Sequence, residues 1–221
     1  MSLLVLIVLA ACGDATAQAQ SFSADLVSVP RDGRVPVPAG KLHVSGAKVR
    51  LETPDLADGF FLIDAAAPSA YFVRTATKTF MEARQSSRLT RWFVPVDPDN
   101  PCQKWQAMAN LAGMADSGDW RCERVGEENI GGQRAIGWRA ITPPGQAFTG
   151  WIDPARQFPV RIKTEDGAAV TVENVQDQLQ SAQLFEIAAG FRKFDPAILI
   201  ERIKQSDVWV TGEQERDPSQ R

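Results

Sequence analysis

Histidine is almost missing from this chain: among 221 residues His43 is the single imidazole. One imidazole excludes any multi-histidine metal site and leaves histidine-based catalysis a single candidate. Charge of one sign is also scarce. Lys+Arg number 24 and Asp+Glu 27, a net charge of −3 with a pI near 5.3. No basic footprint for DNA or RNA follows from such a balance. Tyrosine occurs once, against 11 phenylalanines and 6 tryptophans, so the aromatic set is mostly apolar and suited to burial. No apolar run approaches the roughly 18 residues of a membrane-spanning helix.

Chemical motifs are absent in the same way. Gly131-Gly132 precedes no helical pattern, which excludes a phosphate loop. Asp97-Pro98-Asp99-Asn100 starts like a calcium loop but lacks its glycine and distal glutamate. Asp64, Asp153, Asp166 and Glu173 fall on separate turns and strands and define no carboxylate pair. His43 sits by alternation on the polar side of its strand, beside Lys41 and Ser45, as an exposed bystander. No catalytic residue, cofactor site or metal site is expected, and the chain reads as a non-enzyme.

What remains is ordinary globular material: 44% apolar residues and 23% charged, at 24.2 kDa, enough for one domain with a real core. The stretch Leu3 to Ala11 is apolar or small throughout. It has the length of a signal-peptide core, although Met1-Ser2 supplies no basic residue before it. Two processing sites compete. Leu9-Ala10-Ala11-Cys12 matches a lipoprotein box, in which Cys12 becomes the lipid attachment residue. Ala17-Gln18-Ala19 matches ordinary signal-peptidase cleavage. Either route exports the protein. The lipoprotein route is the favoured one. Gly13 after the cysteine then points to an outer-membrane anchor. Cys102 and Cys122 remain as an even pair in an oxidising compartment, where a disulfide is the simplest state.

The body of the chain alternates with a period of two. Phe22, Ala24 and Leu26 share one side of a first strand, and Leu42 and Val44 one side of a second. After Gly46, Val49 and Leu51 continue the pattern. Phe60 to Ile63 and Tyr71 to Val73 are apolar on both sides, as in strands covered twice. Lys78 to Glu82 is a further strand. Asn100-Pro101 predicts a helix start, with Trp105, Met108, Ala109, Leu111 and Ala112 at helical spacing to about Met114. More strands follow from near Trp120 to Val175, with turns at Gly131-Gly132, Pro143-Pro144-Gly145 and Asp166-Gly167. Leu184 to Ile187 is a last short strand or docking segment. Asp195-Pro196 opens an amphipathic helix carrying Leu199, Ile200 and Ile203. The expected organisation is a signal segment over 1–19, a folded domain over 20–194, the helix and a short extension over 195–211, and a disordered tail over 212–221. The fold class is α+β, mainly β: an antiparallel curved sheet or incomplete β-barrel with one or two covering helices.

Phe22-Ser23-Ala24-Asp25-Leu26, Val44 to Arg50, Lys78 to Glu82, Trp151-Ile152-Asp153 with Pro159 to Ile162, and Leu184 to Ile187 together carry a resemblance. Over roughly Phe22 to Phe194 the chain resembles an uncharacterised periplasmic branch of the LolA/LolB/RseB-like superfamily of lipoprotein-handling domains. That resemblance implies a half-barrel with helices over an apolar concave face. Leu42, Val44, Val49, Leu51, Phe61, Ile63, Phe80, Trp138 and Trp151 would line such a groove. It implies a cell-envelope binding protein for lipid or the acyl chains of lipoproteins, on the periplasmic side; the lipoprotein box would add a membrane tether through Cys12. The alternative is an envelope interaction or sensor module that binds a protein partner, with a packed core and no lipid ligand. A monomer is expected in both cases.

Overall fold

The computed structural model describes residues 20–32, 34–83, 88–112 and 118–198. Six strands come first: β1 (Ser21–Val29), β2 (Val37–Ser45), β3 (Lys48–Glu52), β4 (Gly59–Asp64), β5 (Ser69–Arg74) and β6 (Thr79–Glu82). A single-turn helix, α1 (Leu89–Trp92), and an 11-residue helix, α2 (Pro101–Leu111), follow. A second run contains β7 (Arg121–Ile130), β8 (Gln133–Ile141), β9 (Ala147–Asp153), β10 (Phe158–Thr164) and β11 (Ala169–Asp177). The two-residue β12 (Arg192–Lys193) ends the sheet.

All twelve strands belong to one open sheet, in the order β12-β6-β5-β4-β3-β2-β1-β11-β10-β9-β8-β7. Every pairing is antiparallel except that of β12 with β6. Each run is a meander of tight turns, and the two meet where β1 pairs with β11. The architecture is the mainly β, incomplete-barrel class expected from the alternation.

Period-two patterning sorts the side chains onto two faces. On one face Phe22, Leu26, Leu42, Val44, Val49, Leu51, Phe61 and Ile63 are buried in one cluster with Phe93, Val94, Val96, Trp105 and Met108. The last five come from the chain between the two meanders, so α2 and the preceding arm cover this helix face. On the opposite, outer face a smaller cluster forms from Phe60, Leu62 and Val73, with Tyr71 and Phe80. Its cover is the strap after β11, which contributes Ile187 and Phe191. Strands β4 and β5 are apolar on both sides because each side has its own cover.

The strap crosses the first meander on that outer face. The Gln180 side-chain oxygen bonds to the His43 ring (Nδ1 to Oε1, 2.9 Å). Arg50 donates to the Leu184 carbonyl at 3.3 Å, and the Phe194 N–H donates to the Phe80 carbonyl at 2.7 Å. Leu184 to Ile187 is therefore a docking segment built on a 3-10 turn (Ala182–Phe185), not a strand. His43 is half-buried by the strap where alternation alone made it an exposed bystander.

Asn100 precedes α2 as expected, but its side chain makes no capping bond. Asp97 holds the turn instead, accepting from the Asp99 N–H at 2.9 Å through its carboxylate and from the Asn100 N–H at 3.2 Å through its carbonyl. Cys102 and Cys122 are bonded, with Cα atoms 6.0 Å apart, and tie α2 to the start of β7. The expected signal segment with Cys12, the helix beyond Ile198 and the polar tail lie outside the described residues. No described helix is long and apolar enough to cross a membrane.

Candidate functional site: a cleft on the outer face

The nine residues expected to line a groove do not form one surface. Leu42, Val44, Val49 and Leu51 are fully buried, and Phe61 and Ile63 are 3% exposed. They are core beneath α2 and the arm. Trp138 shares that face: its cross-strand partner is Gly150, over which Trp105 lies. Trp138 is only partly buried, and its indole N–H donates to the Pro98 carbonyl at 3.0 Å. Phe80 and Trp151 are corrections, since both point to the outer face. Phe80 pairs with Val73 and packs edge-on to Tyr71. Trp151 lies across Gly137, its pairing partner, with the Arg161 guanidinium 5.6 Å from the ring centroid. Among the described residues the helix face is filled at these positions, with smaller cavities of about 150 Å³ beside Trp92 and Phe148 and about 190 Å³ beside Ala70 and Leu111.

The outer face holds a cleft of about 620 Å³, within the range of small-ligand sites. It forms where β2 and β3 part. Their pairing stops at Lys41–Glu52. Beyond that point β2 stays beside β1 down to Val37, while the other chain turns away through the 3-10 turn Pro54–Leu56. Pro54 has no N–H to give a ladder, so pairing ends there. Gly40 sits at the vertex with φ +153°, and a Cβ there would collide with the Glu52 carbonyl oxygen. Only glycine lets the two backbones come that close before they diverge.

Apolar atoms of Val27, Pro38, Pro54, Leu56, Ala57 and Phe60 make the walls. Lys41, Arg50 and Glu52 reach the same cleft because they alternate with the buried Leu42 and Leu51. Each charge is matched. Lys41 Nζ is 3.5 Å from Asp25, which also accepts from Asn174 Nδ2 at 2.9 Å. Arg50 Nε donates to Glu52 at 2.8 Å, and the guanidinium stacks 3.5 Å above the Phe60 ring. Asp58 accepts from Arg74 Nε at 3.1 Å. The Asn174 amide beside Asp25 and the Arg74 guanidinium beside Asp58 hold both carboxyls below their usual range.

Two further carboxylates behave alike. Bonds from Arg156 lower Asp177, and bonds from Arg134 lower Glu127. A carboxyl lowered in the folded state stabilises the fold above its unfolded pKa of about 4. That stabilisation disappears as pH falls through the folded values. The urea midpoint should therefore hold between pH 7 and about pH 5 and fall steadily below about pH 4. A midpoint that stays level or rises on acidification to about pH 3 would contradict this assignment.

The cleft was not legible from alternation, which selects apolar faces, whereas its lining comes from the polar face and a turn. The available signal was the cluster of breakers on both sides of it: Pro36 and Pro38 around the start of β2, Pro54 and Gly59 after β3.

No protein-family model matches the sequence, and no curated protein matches it. Among solved structures, an uncharacterised conserved protein from Thermus thermophilus is similar at 13% identity and a TM-score of 0.46, over 80% of this chain and 91% of that one. PNGF-II is similar at 8% identity and a TM-score of 0.48, over 85% of this chain, which spans only 33% of PNGF-II. A Vibrio parahaemolyticus domain described as outer-membrane lipoprotein-sorting is similar at 11% identity and a TM-score of 0.35, over 76% of this chain and 89% of that one.

Proposed function

We propose that this chain is a non-enzymatic binding module of the cell envelope, and that it engages its ligand in the outer cleft. One observation carries the reading: the helix face is closed at Leu42, Val44, Val49 and Leu51, while the outer face keeps a preformed cleft with apolar walls. The Cys102–Cys122 bond supports an oxidising compartment. A lipid on Cys12 would tether the domain to the membrane by the short segment before Ser21. The ligand is one with an apolar body, because such a body desolvates the walls and every charged group at the site is already paired.

N-phenyl-1-naphthylamine, a neutral apolar dye, tests this directly. It should bind one to one with enhanced emission. Ala57→Trp fills the cleft from an exposed turn position. That variant should weaken the dye at least tenfold with an unchanged thermal midpoint. No enhancement by the parent protein, or equal binding by the variant, would remove the cleft as the ligand site.

A further inference from the structure

We infer that the outer cleft takes a neutral amphiphile, an alkyl or acyl chain with an uncharged polar head, and rejects the same chain with an ionic head. The inference rests on the cleft being the ligand site and adds the class of ligand it selects.

The argument is one of charge matching. Five charged side chains line the cleft: Asp25, Lys41, Arg50, Glu52 and Asp58. Arg74 lies at its edge on Asp58. Three carboxylates thus face three cations, each within its own pair. The pair deepest in the cleft is the most constrained. Arg50 is 18% exposed, donates to Glu52 and to the Leu184 carbonyl, and stacks on Phe60. Glu52 and the Leu184 carbonyl take three of the five N–H donors of Arg50, and Phe60 covers one face of the guanidinium, so an anionic head at Arg50 competes with Glu52 and a cationic head at Glu52 competes with Arg50. That competition loosens the partner of a largely buried guanidinium, a cost that an uncharged head does not meet. An uncharged head needs no exchange. Its hydroxyls can bond to the outer oxygens and N–H groups of pairs that stay intact, as at the exposed Asp25–Lys41 pair. The chain meanwhile lies on Val27, Pro38, Leu56, Ala57 and Phe60. Leu56 is 37% exposed and has apolar surface to lose.

Three detergents with one chain length separate head from tail: octyl glucoside, octyl sulfate and octyltrimethylammonium, each below its micelle concentration in physiological salt. Displacement of N-phenyl-1-naphthylamine is the readout. Octyl glucoside should displace the dye, and both ionic forms should be at least tenfold weaker. Arg74→Gln is a surface change that leaves Asp58 without its cation. It should strengthen octyltrimethylammonium several-fold and leave octyl glucoside unchanged. Equal displacement by all three heads, or a preference for octyl sulfate, would overturn the charge argument while the cleft remains the site. Dye bound in the cleft but displaced by none of the three would overturn the amphiphile class. Dye binding that ignores Ala57→Trp would overturn the cleft itself.

Discussion

Trp105→Ala should destabilise the fold by about 3–5 kcal/mol, the range for removing a large buried aromatic side chain. Trp105 is fully buried on α2 and packs edge-on against Phe148 at 5.1 Å between ring centroids. Its indole N–H donates to the Trp92 carbonyl at 3.1 Å, which fastens α2 to the arm before it. Beneath the ring lies Gly150 of β9, where even a Cβ would strike the indole. The ring therefore rests on sheet backbone at Gly150. Alanine would leave a cavity and a buried carbonyl without its donor. Trp138→Ala should cost clearly less, because Trp138 is only partly buried. Urea denaturation of the three proteins measures both. A Trp105→Ala cost near about 1 kcal/mol, well under the buried-aromatic range, would mean that α2 sits loosely and that the helix face is a groove after all.

The contrast between these two tryptophans shows what alternation can and cannot reveal. Leu42, Val44, Val49 and Leu51 fall on one buried face because their strand neighbours are charged or polar, so the pattern itself names the inside. Phe80 and Trp151 escape the pattern for a different reason. Phe80 faces Val73 of β5, a strand apolar on both sides, and period two then gives no preferred face. For Trp138 and Trp151 the deciding fact is register: Trp138 pairs with Gly150 and Trp151 with Gly137, which puts the two rings on opposite faces. A shift of one residue would have put them together, and nothing local to either strand fixes it. The outer cleft was hidden more deeply. It depends on β2 outrunning β3, nine residues against five, a difference in strand length that no local pattern announces.

Removing the disulfide should have the second largest effect, about 3 kcal/mol for a loop of this size in the chain-entropy estimate. The two cysteines are 20 residues apart, and Cys102 is buried. Cys102→Ala/Cys122→Ala avoids placing a hydroxyl in the core. The oxidised parent should show no free thiol from this pair after denaturation without reductant. The loss need not act through the unfolded chain alone. Cys102 stands one turn before Trp105 on α2, so both bear on the same face of the helix. At the other end the bond holds β7, an edge strand that is exposed along most of its length and pairs only with β8. If the bond also seats α2 on the sheet, part of the Trp105 contribution depends on it. A double-mutant cycle then shows the combined cost of Trp105→Ala and cysteine removal falling short of the sum by more than about 0.5 kcal/mol. Additivity within that margin would assign the bond's whole effect to the unfolded state and leave Trp105 and the arm to seat the helix by themselves.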